Sequence, residues 1–217
     1  MPGFDSSELA TTQSDSDNEI ASAARKRPKP GERRAQILQA LASMLEQPGA
    51  ERITTASLAA RLDVSEAALY RHFASKAQMF EGLIEFIEQT VFSLVNQIVA
   101  QEGVSGARQA GKVITMVMQF AEKNPGMTRV MVGDALVFEN ERLQQRMNLF
   151  LDKIESTLKQ SLRGAAELNG SATPSVDAQV KASVLTAFLV GRLQRFARSN
   201  FKRLPSEHLA ASLLLLL

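Results

Sequence analysis

Apolar residues recur along the chain at the three- and four-residue spacing of amphipathic helices. Segments rich in Gly, Pro, Asn and Asp separate these stretches, and none shows the strict alternation that is typical of a strand. Beyond residue 74 the pattern predicts helices over 76 to about 101, 106–123, 127–136, 140–162, 175 to about 200 and 206–217. An earlier amphipathic helix is predicted over 32–47, ended by Pro48-Gly49. We therefore expect an all-α fold.

Residues 53–73 break this pattern into two short helices joined by a tight turn. Thr54 is a good N-cap for the first of them, and Ser65 for the second. Between them lies Asp63, a residue type that tolerates the left-handed conformation that such turns often need. Two short helices around a three-residue turn predict a helix-turn-helix.

The long helix that follows begins at a predicted capping box of Ser75 and Gln78. Its apolar stripe comprises Phe80, Leu83, Ile84, Ile87, Val91, Leu94 and Ile98. Phe86 and Phe92 lie off this stripe. We expect Phe92 to be buried against the second domain, whereas Phe86 is open to either burial or a role in binding a partner.

The helix over 175–200 has two apolar stripes instead of one. Leu185, Leu189, Leu193 and Phe196 form one stripe, and Val176, Val180, Val184, Ala187 and Gly191 form the other. A helix that is apolar on two faces must cover both. Because Ala187 and Gly191 allow a second helix to approach closely, we predict a homodimer interface at Val184, Ala187 and Gly191. The alternative is that one chain covers both faces by itself.

Charge is unevenly distributed along the 217 residues. Residues 1–24 contain five acids and no Lys or Arg, so the net charge of +2 becomes +7 for the remainder. We predict a disordered acidic segment and a basic, proline-containing arm over 1–30, a helix-turn-helix domain over 31–78 and a helical dimerisation domain over 79–217. The arm either follows DNA or serves as a solubilising linker. Ten basic residues against five acidic ones between Arg25 and Lys76 are typical of a surface that binds phosphate.

Several classes of function find no support in the sequence. It has no cysteine, no phosphate-binding Gly-rich loop, no nucleophile with a base, and only two histidines. The apolar runs are short, and the N-terminus is acidic and polar. We expect a cytoplasmic protein that is not an enzyme and has no cofactor, no metal site and no membrane partner.

The segment ITTASLAARLDVSEAALYRHFASK resembles the DNA-binding signature of TetR-type regulators. The segments MFEGLIEFIEQ, FAEKNPGMTRVM and ALVFENERLQQRMN resemble the nucleoid occlusion branch of that family. The likeness runs from about residue 33 to 162, and 178–205 fits more loosely. It implies a nucleoid-associated homodimer that reads a two-fold-symmetric site in double-stranded DNA.

On this resemblance, residues 65–73 form the recognition helix. Ala67 offers a methyl contact to thymine, Tyr70 a contact to base or phosphate, and Thr55 a phosphate contact. The full set of expected DNA-binding residues is Thr54, Thr55, Ser65, Glu66, Ala67, Tyr70, Arg71, His72 and Lys76. Two of these have an alternative role, since Glu66 could serve only the helix dipole and His72 could simply cap or pack.

The same resemblance implies inhibition of the division protein FtsZ over the chromosome. We expect Phe86, Lys123 and Asn124 to bind the acidic, partly apolar C-terminal tail of FtsZ. Leu94 departs from the pattern, because a basic residue is expected there. The alternative is a TetR-type repressor that responds to a small ligand. A packed interior favours the first function, for which no small-molecule ligand is expected, and a pocket lined by polar groups favours the second.

Overall fold

The computed structural model describes residues 31–47 and 53–217. Within these residues it is all-α, as predicted. Nine α-helices and one short 3₁₀ turn follow in chain order: α1 Glu32–Leu45, α2 Thr55–Arg61, α3 Glu66–Tyr70, α4 Lys76–Val99, α5 Gly106–Lys123, α6 Pro125–Met131, the turn Asp134–Leu136, α7 Glu141–Leu168, α8 Pro174–Arg198 and α9 Leu209–Leu216. The predicted acidic segment and basic arm over 1–30, and the predicted stop at Pro48-Gly49, lie outside the described residues.

The helix-turn-helix consists of α2 and α3, and it is shorter than predicted. The recognition helix ends at Tyr70 rather than Phe73. Phe73 is buried against the core, with 1% of its surface exposed, so the chain turns inward after Tyr70. The predicted capping box at the start of α4 is only half formed. The Ser75 hydroxyl accepts from Gln78 N–H, but the Gln78 side chain accepts from Ala74 N–H instead of Ser75.

The long helix α4 extends from the helix-turn-helix into the bundle and contributes to the single apolar core that runs through both. Most of its predicted stripe is buried, but the prediction for Leu94 was wrong. That residue is 37% exposed and Val95 is buried in its place, because the inward face advances four residues from Val91 rather than three. Phe92 packs edge to face on Phe150 of α7, with the ring centroids 5.5 Å apart, as expected for burial against the second domain.

Close backbone contacts fix how the helices of the bundle pack. A Cβ atom on Gly106 would lie 1.8 Å from the carbonyl oxygen of Ser161, so only glycine allows α5 to begin against α7 at this distance. Likewise, a Cβ atom on Gly126 would lie 2.0 Å from the Ala42 carbonyl oxygen, which seats α6 directly on α1. We call α1, α2 and α3 the head and the helices that follow them the bundle; α6 thereby joins the bundle to the head.

The bundle has an end near the helix-turn-helix and a far end. Ion pairs join the first turns of α7 to α4, through Arg142 to Glu81 and Arg146 to Glu88, so both helices run away from the head. The helices α5 and α8 return toward it, and Asn200 just after α8 accepts a bond from Arg129 of α6. The C-terminal end of α8 therefore lies at the same end of the bundle as the head.

The interior of the bundle is apolar. Thr128 and Thr186 are the buried polar side chains within the described residues. Thr128 donates to the carbonyl oxygen of Ala121 at 2.9 Å. The second stripe of α8 is not covered, since Val176, Val180 and Val184 are 61%, 58% and 45% exposed. The alternative that one chain buries both faces of α8 is therefore wrong for this stripe.

Candidate DNA interface and partner groove

Side-chain caps hold the two helices of the head. The Thr54 hydroxyl accepts from Ser57 N–H at 3.1 Å, and the Ser57 hydroxyl accepts from Thr54 N–H at 3.1 Å, which makes a reciprocal capping box. The Ser65 hydroxyl accepts from Ala68 N–H at 3.2 Å. Thr54 and Ser65 thus begin α2 and α3 as predicted, and their caps fix how those helices start.

A left-handed residue and a side-chain hydrogen bond fix the turn between α2 and α3. Asp63 adopts the predicted left-handed conformation, with φ at 53°. Across the turn, the Thr55 hydroxyl donates to the Glu66 carboxylate at 2.5 Å. This bond joins the first turn of α2 to the first turn of α3. It also gives Glu66 a partner beyond the helix dipole, which was not predicted.

The outward face of α3 presents polar, aromatic and small side chains to solvent. Tyr70 is 45% exposed, and Ala67, Arg71 and His72 are also exposed. On the opposite side, Leu69 is buried and anchors the helix. Ala67, Tyr70, Arg71 and His72 are therefore all open to solvent, in α3 and directly after it.

Arg34 makes a structural contact with the end of α3 that the sequence pattern does not predict. From α1 its guanidinium donates to the carbonyl of His72 and lies 4.1 Å above the ring of Phe73. The contact ties α1 to the end of the recognition helix, and the cation over the ring adds to its stability. Arg34 and His72 are 38 residues apart in the sequence, so no local pattern indicates that they are in contact.

Lys76 lies at the N-terminus of α4 but is not a free cation. Its ammonium forms an ion pair with Glu139, whose side chain is only 12% exposed. The fold brings Glu139 to Lys76 from 63 residues further along the chain. Lys76 therefore contributes to phosphate binding only if DNA competes with Glu139.

A second ion pair of this kind joins the middle of α4 to α7. Arg146 makes a two-pronged contact with Glu88, with N–O distances of 3.1 and 2.6 Å. This hydrogen bonding to Glu88 raises the pKa of Arg146 above its usual value. The pairs of Lys76, Arg142 and Arg146 form a row that holds α7, and the segment just before it, along α4.

A groove of about 530 Å³ lies where α1, α4 and α6 meet. We call it the partner groove; its lining residues are Ala35, Leu38, Gln39, Ala42, Ser43, Glu46, Leu83, Phe86, Asn124 and Met127. Phe86 is 48% exposed and lines its wall. The structure therefore brings together Phe86 and Asn124. Lys123 is exposed and directly precedes Asn124, but it does not line the groove itself.

The predicted dimer-interface residues lie along one face of α8. Val184 and Ala187 are exposed, and Gly191 is half-buried. A Cβ atom on Gly191 would meet no atom within 4 Å, so the backbone is open to approach on that side. In α9, Leu214 and Leu215 are 87% and 88% exposed and add to the uncovered apolar surface.

Comparisons with known proteins agree with this architecture. Residues 37–83 match the model of bacterial regulatory proteins of the tetR family. Among solved structures, a putative TetR-family transcriptional regulator from Rhodococcus has a TM-score of 0.67 at 20% identity, covering 85% of this chain and 98% of that one. The fatty acid degradation regulator FadR from Bacillus halodurans has a TM-score of 0.68 at 17% identity, covering 87% and 96%. The fold and the helix-turn-helix define a DNA-binding regulator of the tetR class, which is not an enzyme.

The sequence relatives narrow this class further. Residues 108–217 match a model described as the C-terminal domain of tetracyclin repressor-like proteins of the SlmA type. The nucleoid occlusion factor SlmA of Idiomarina loihiensis is 51% identical over 179 residues, covering 82% of this chain and 90% of that protein. The SlmA of Vibrio cholerae is 51% identical over 177 residues, covering 81% and 89%. The chain belongs to the SlmA family of nucleoid occlusion factors.

This membership implies association with DNA. None of the helices in residues 31–47 and 53–217 is both long and apolar enough to cross a bilayer.

Proposed function

We propose that this protein is a homodimeric, DNA-activated inhibitor of FtsZ polymers that acts over the chromosome. Its similarity to nucleoid occlusion factors over more than four fifths of the chain supports this function. The observation that carries it is the partner groove, which lies at the junction of the DNA-binding head and the bundle. Through its DNA sites, the protein would be held on the nucleoid.

DNA reading would rest on the outward face of α3. Ala67 and Tyr70 reach base edges in the major groove, while Arg71 and His72 neutralise phosphates beside them. Thr54 and Ser65 place the N-termini of α2 and α3 against the sugar-phosphate backbone of the DNA. The bond between Thr55 and Glu66 sets the angle between α2 and α3. When DNA binds, Lys76 would leave its ion pair with Glu139 and bind a phosphate of the DNA.

Dimerisation would use the exposed stripe of α8. Val184, Ala187 and Gly191 present apolar and small surface along about two turns, which suits an isologous contact with the same stripe of a second copy. Two copies joined in this way carry two recognition helices, so the DNA site should be two-fold symmetric. The exposed leucines of α9 would be buried by the same contact.

The partner groove suits an extended peptide with both apolar and acidic residues. Phe86 and Leu83 supply an apolar wall, and Lys123 at its margin supplies a cation. The FtsZ tail expected from the family resemblance has the matching character, so an aromatic anchor with a cation at the rim would hold it.

The helix α1 connects the groove to DNA. It lines the groove through Ala35, Leu38 and Ala42, and its Arg34 holds the end of the recognition helix. Any shift of α1 on DNA binding therefore alters the width of the groove. Such a link would make FtsZ binding depend on DNA.

The packed bundle favours this function over a repressor that responds to a small ligand. Its interior carries few polar side chains within the described residues. The partner groove and a second cleft at the C-terminal end of α8 both open at the surface. A ligand-responsive regulator needs an enclosed pocket with convergent polar groups.

The test is the double variant Phe86→Ala, Lys123→Glu. It should bind a fluorescent FtsZ-tail peptide at least about tenfold more weakly, the usual result of losing a central aromatic anchor. DNA affinity, measured by anisotropy, should stay unchanged because both residues lie away from α3. The matched control is Leu149→Ala, Lys153→Glu, an equivalent pair of exposed residues on α7. Equal peptide affinity of both double variants would contradict the proposed groove.

A further inference from the structure

The C-terminal end of α8 and the segment after it form an open cleft of about 870 Å³. Arg192, Arg195, Lys202 and Arg203 line it, and we call it the basic cleft. Glu207 is the carboxylate in its lining. Within the described part of the chain, none of the four cations forms an ion pair with a carboxylate. These four cations outnumber the one carboxylate of the lining, so the cleft carries a net positive charge and is suited to an anion.

A strained turn places two of these cations. Asn200 and Phe201 are consecutive left-handed residues, with φ at 49° and 63°, a conformation that a bulky residue rarely adopts. Phe201 N–H donates to the Phe196 carbonyl at 2.9 Å, and the two rings pack 5.1 Å apart. The Arg129 guanidinium covers the outer side of the Phe201 ring at 5.2 Å. These contacts hold the turn, so Lys202 and Arg203 come to line the same cleft as the α8 arginines.

The cleft lies at the DNA-binding end of the bundle. Ser206 N–H donates to Glu122, in the last turn of α5, at 2.8 Å. Arg129, which supports the turn, belongs to α6, and α6 is seated on α1 of the head at Gly126. Two structural supports of the cleft, the end of α5 and the helix α6, thus lie near the head.

The cleft also borders the proposed dimer face. Arg195 follows Gly191 by four residues, about one helical turn, so it continues the exposed stripe of α8. A dimer formed through that stripe brings two copies of the cleft beside the two-fold axis. A DNA site bound by two recognition helices has its centre on the same axis.

From these observations we propose that the basic cleft is a second DNA-binding site, one that contacts phosphates of the duplex between the two half-sites. This inference rests on the proposed dimer and its DNA reading. Arginine and lysine side chains hold phosphate oxygens through charge-assisted hydrogen bonds, and contacts to phosphate carry no direct sequence information. The cleft would therefore strengthen binding to all sequences and leave the choice of site to α3.

The test compares two triple variants of the full-length protein. The first, Arg195→Gln, Lys202→Gln, Arg203→Gln, removes three exposed cations and leaves Arg192, which packs on Phe188. The control, Lys112→Gln, Lys159→Gln, Arg163→Gln, removes the same charge from helix positions at the far end. DNA affinity is measured over a range of salt concentrations. Ethylation interference then identifies the phosphates that each protein needs.

The cleft variant should bind specific and random duplexes more weakly to the same extent. The slope of log K against log salt should fall by about 0.9 for each phosphate that the variant no longer neutralises. Ethylation of the phosphates between the two half-sites should weaken DNA binding by the parent protein. It should have no effect on DNA binding by this variant. If the cleft variant and the control show the same slope and footprint, the inference is wrong. It is also wrong if the only binding that the cleft variant loses is binding to an acidic protein. Failure of the parent itself to prefer its specific site would instead count against the proposed function.

Discussion

The DNA-binding head and the helical bundle are stabilised in different ways. The head depends on helices of seven and five residues, α2 and α3, which are too short to be stable alone. Caps, the Thr55–Glu66 bond and the Arg34 contact hold them in place. The bundle depends on helices of 28 and 25 residues, α7 and α8, whose buried stripes form a large apolar core. Local polar contacts, added to the buried Leu58 and Leu69, therefore position the residues proposed to read DNA, whereas apolar packing supports the surfaces proposed for protein partners.

This difference predicts where a single substitution costs the most stability. Phe150 is fully buried in α7 and packs on Phe92. We expect Phe150→Ala to lower the free energy of unfolding by about 3–5 kcal/mol, since it leaves a cavity in a tightly packed core. Urea unfolding followed by circular dichroism measures this change.

Leu149 provides the matched control, because it neighbours Phe150 but is 60% exposed. We expect Leu149→Ala to change stability by less than about 0.5 kcal/mol. Similar losses for both variants would mean that α7 does not pack as described.

The next largest effect concerns the uncovered face of α8. Gly191→Glu should weaken dimerisation by about 2 kcal/mol, near thirtyfold in Kd, because the interface would bury an unpaired charge. The folded monomer has room for the side chain, with no atom within 4 Å of a Cβ at this position. Light scattering across a dilution series measures the shift.

Gln160→Glu on α7 introduces the same side chain at an exposed position away from this face. It should dimerise like the parent. A Gly191→Glu protein that remains fully dimeric would move the interface to another surface.

The recognition surface should respond with a loss of similar size that depends on the DNA sequence. Tyr70→Ala should weaken binding to the specific site by about 1–3 kcal/mol, with little effect on random DNA. Lys76→Ala should weaken all sequences alike and flatten the salt dependence. Anisotropy titrations at several salt concentrations separate these effects. Full specific affinity of the Tyr70 variant would exclude α3 as the reading surface.

The smallest expected effect is a pH-dependent contribution at the start of α8. Hydrogen bonds from Ser171 and then Thr173 lower the pKa of Asp177 below its usual value. A lowered folded-state pKa adds stability above the unfolded pKa, and this stability is lost as pH falls through the folded value. Asp177→Asn should therefore reduce the melting temperature slightly at neutral pH and have no effect in strong acid. An equal reduction at both pH values would contradict this explanation.

The two regions also differ in what their sequence reveals. In the head, residue types with strong local preferences predicted the caps at Thr54 and Ser65 and the left-handed Asp63, and all three are confirmed. In the bundle, periodicity predicted which helices exist and most of the residues they bury. It failed at Leu94, because a four-residue step and a three-residue step fit the same pattern.

Contacts between residues distant in sequence could not be predicted. The Lys76–Glu139 pair spans 63 residues, and the Arg34–His72 bond spans 38. Both depend on how α1 and α7 pack on α4, which no local pattern specifies. Phe86 and Asn124 line one groove because Gly126 lets α6 pack closely on Ala42 of α1. The residues next to Gly126 in the sequence do not indicate this contact.

The central claim is that DNA binding at the head enables the bundle to act on FtsZ. Sedimentation of FtsZ polymers with the purified protein tests it most directly, in the presence of a specific duplex, a random duplex of equal length, or no DNA. We predict that the specific duplex lowers the pelleted FtsZ well below the amount found with the protein alone, and that the random duplex has a much weaker effect. An unchanged pellet with the specific duplex bound would contradict the claim.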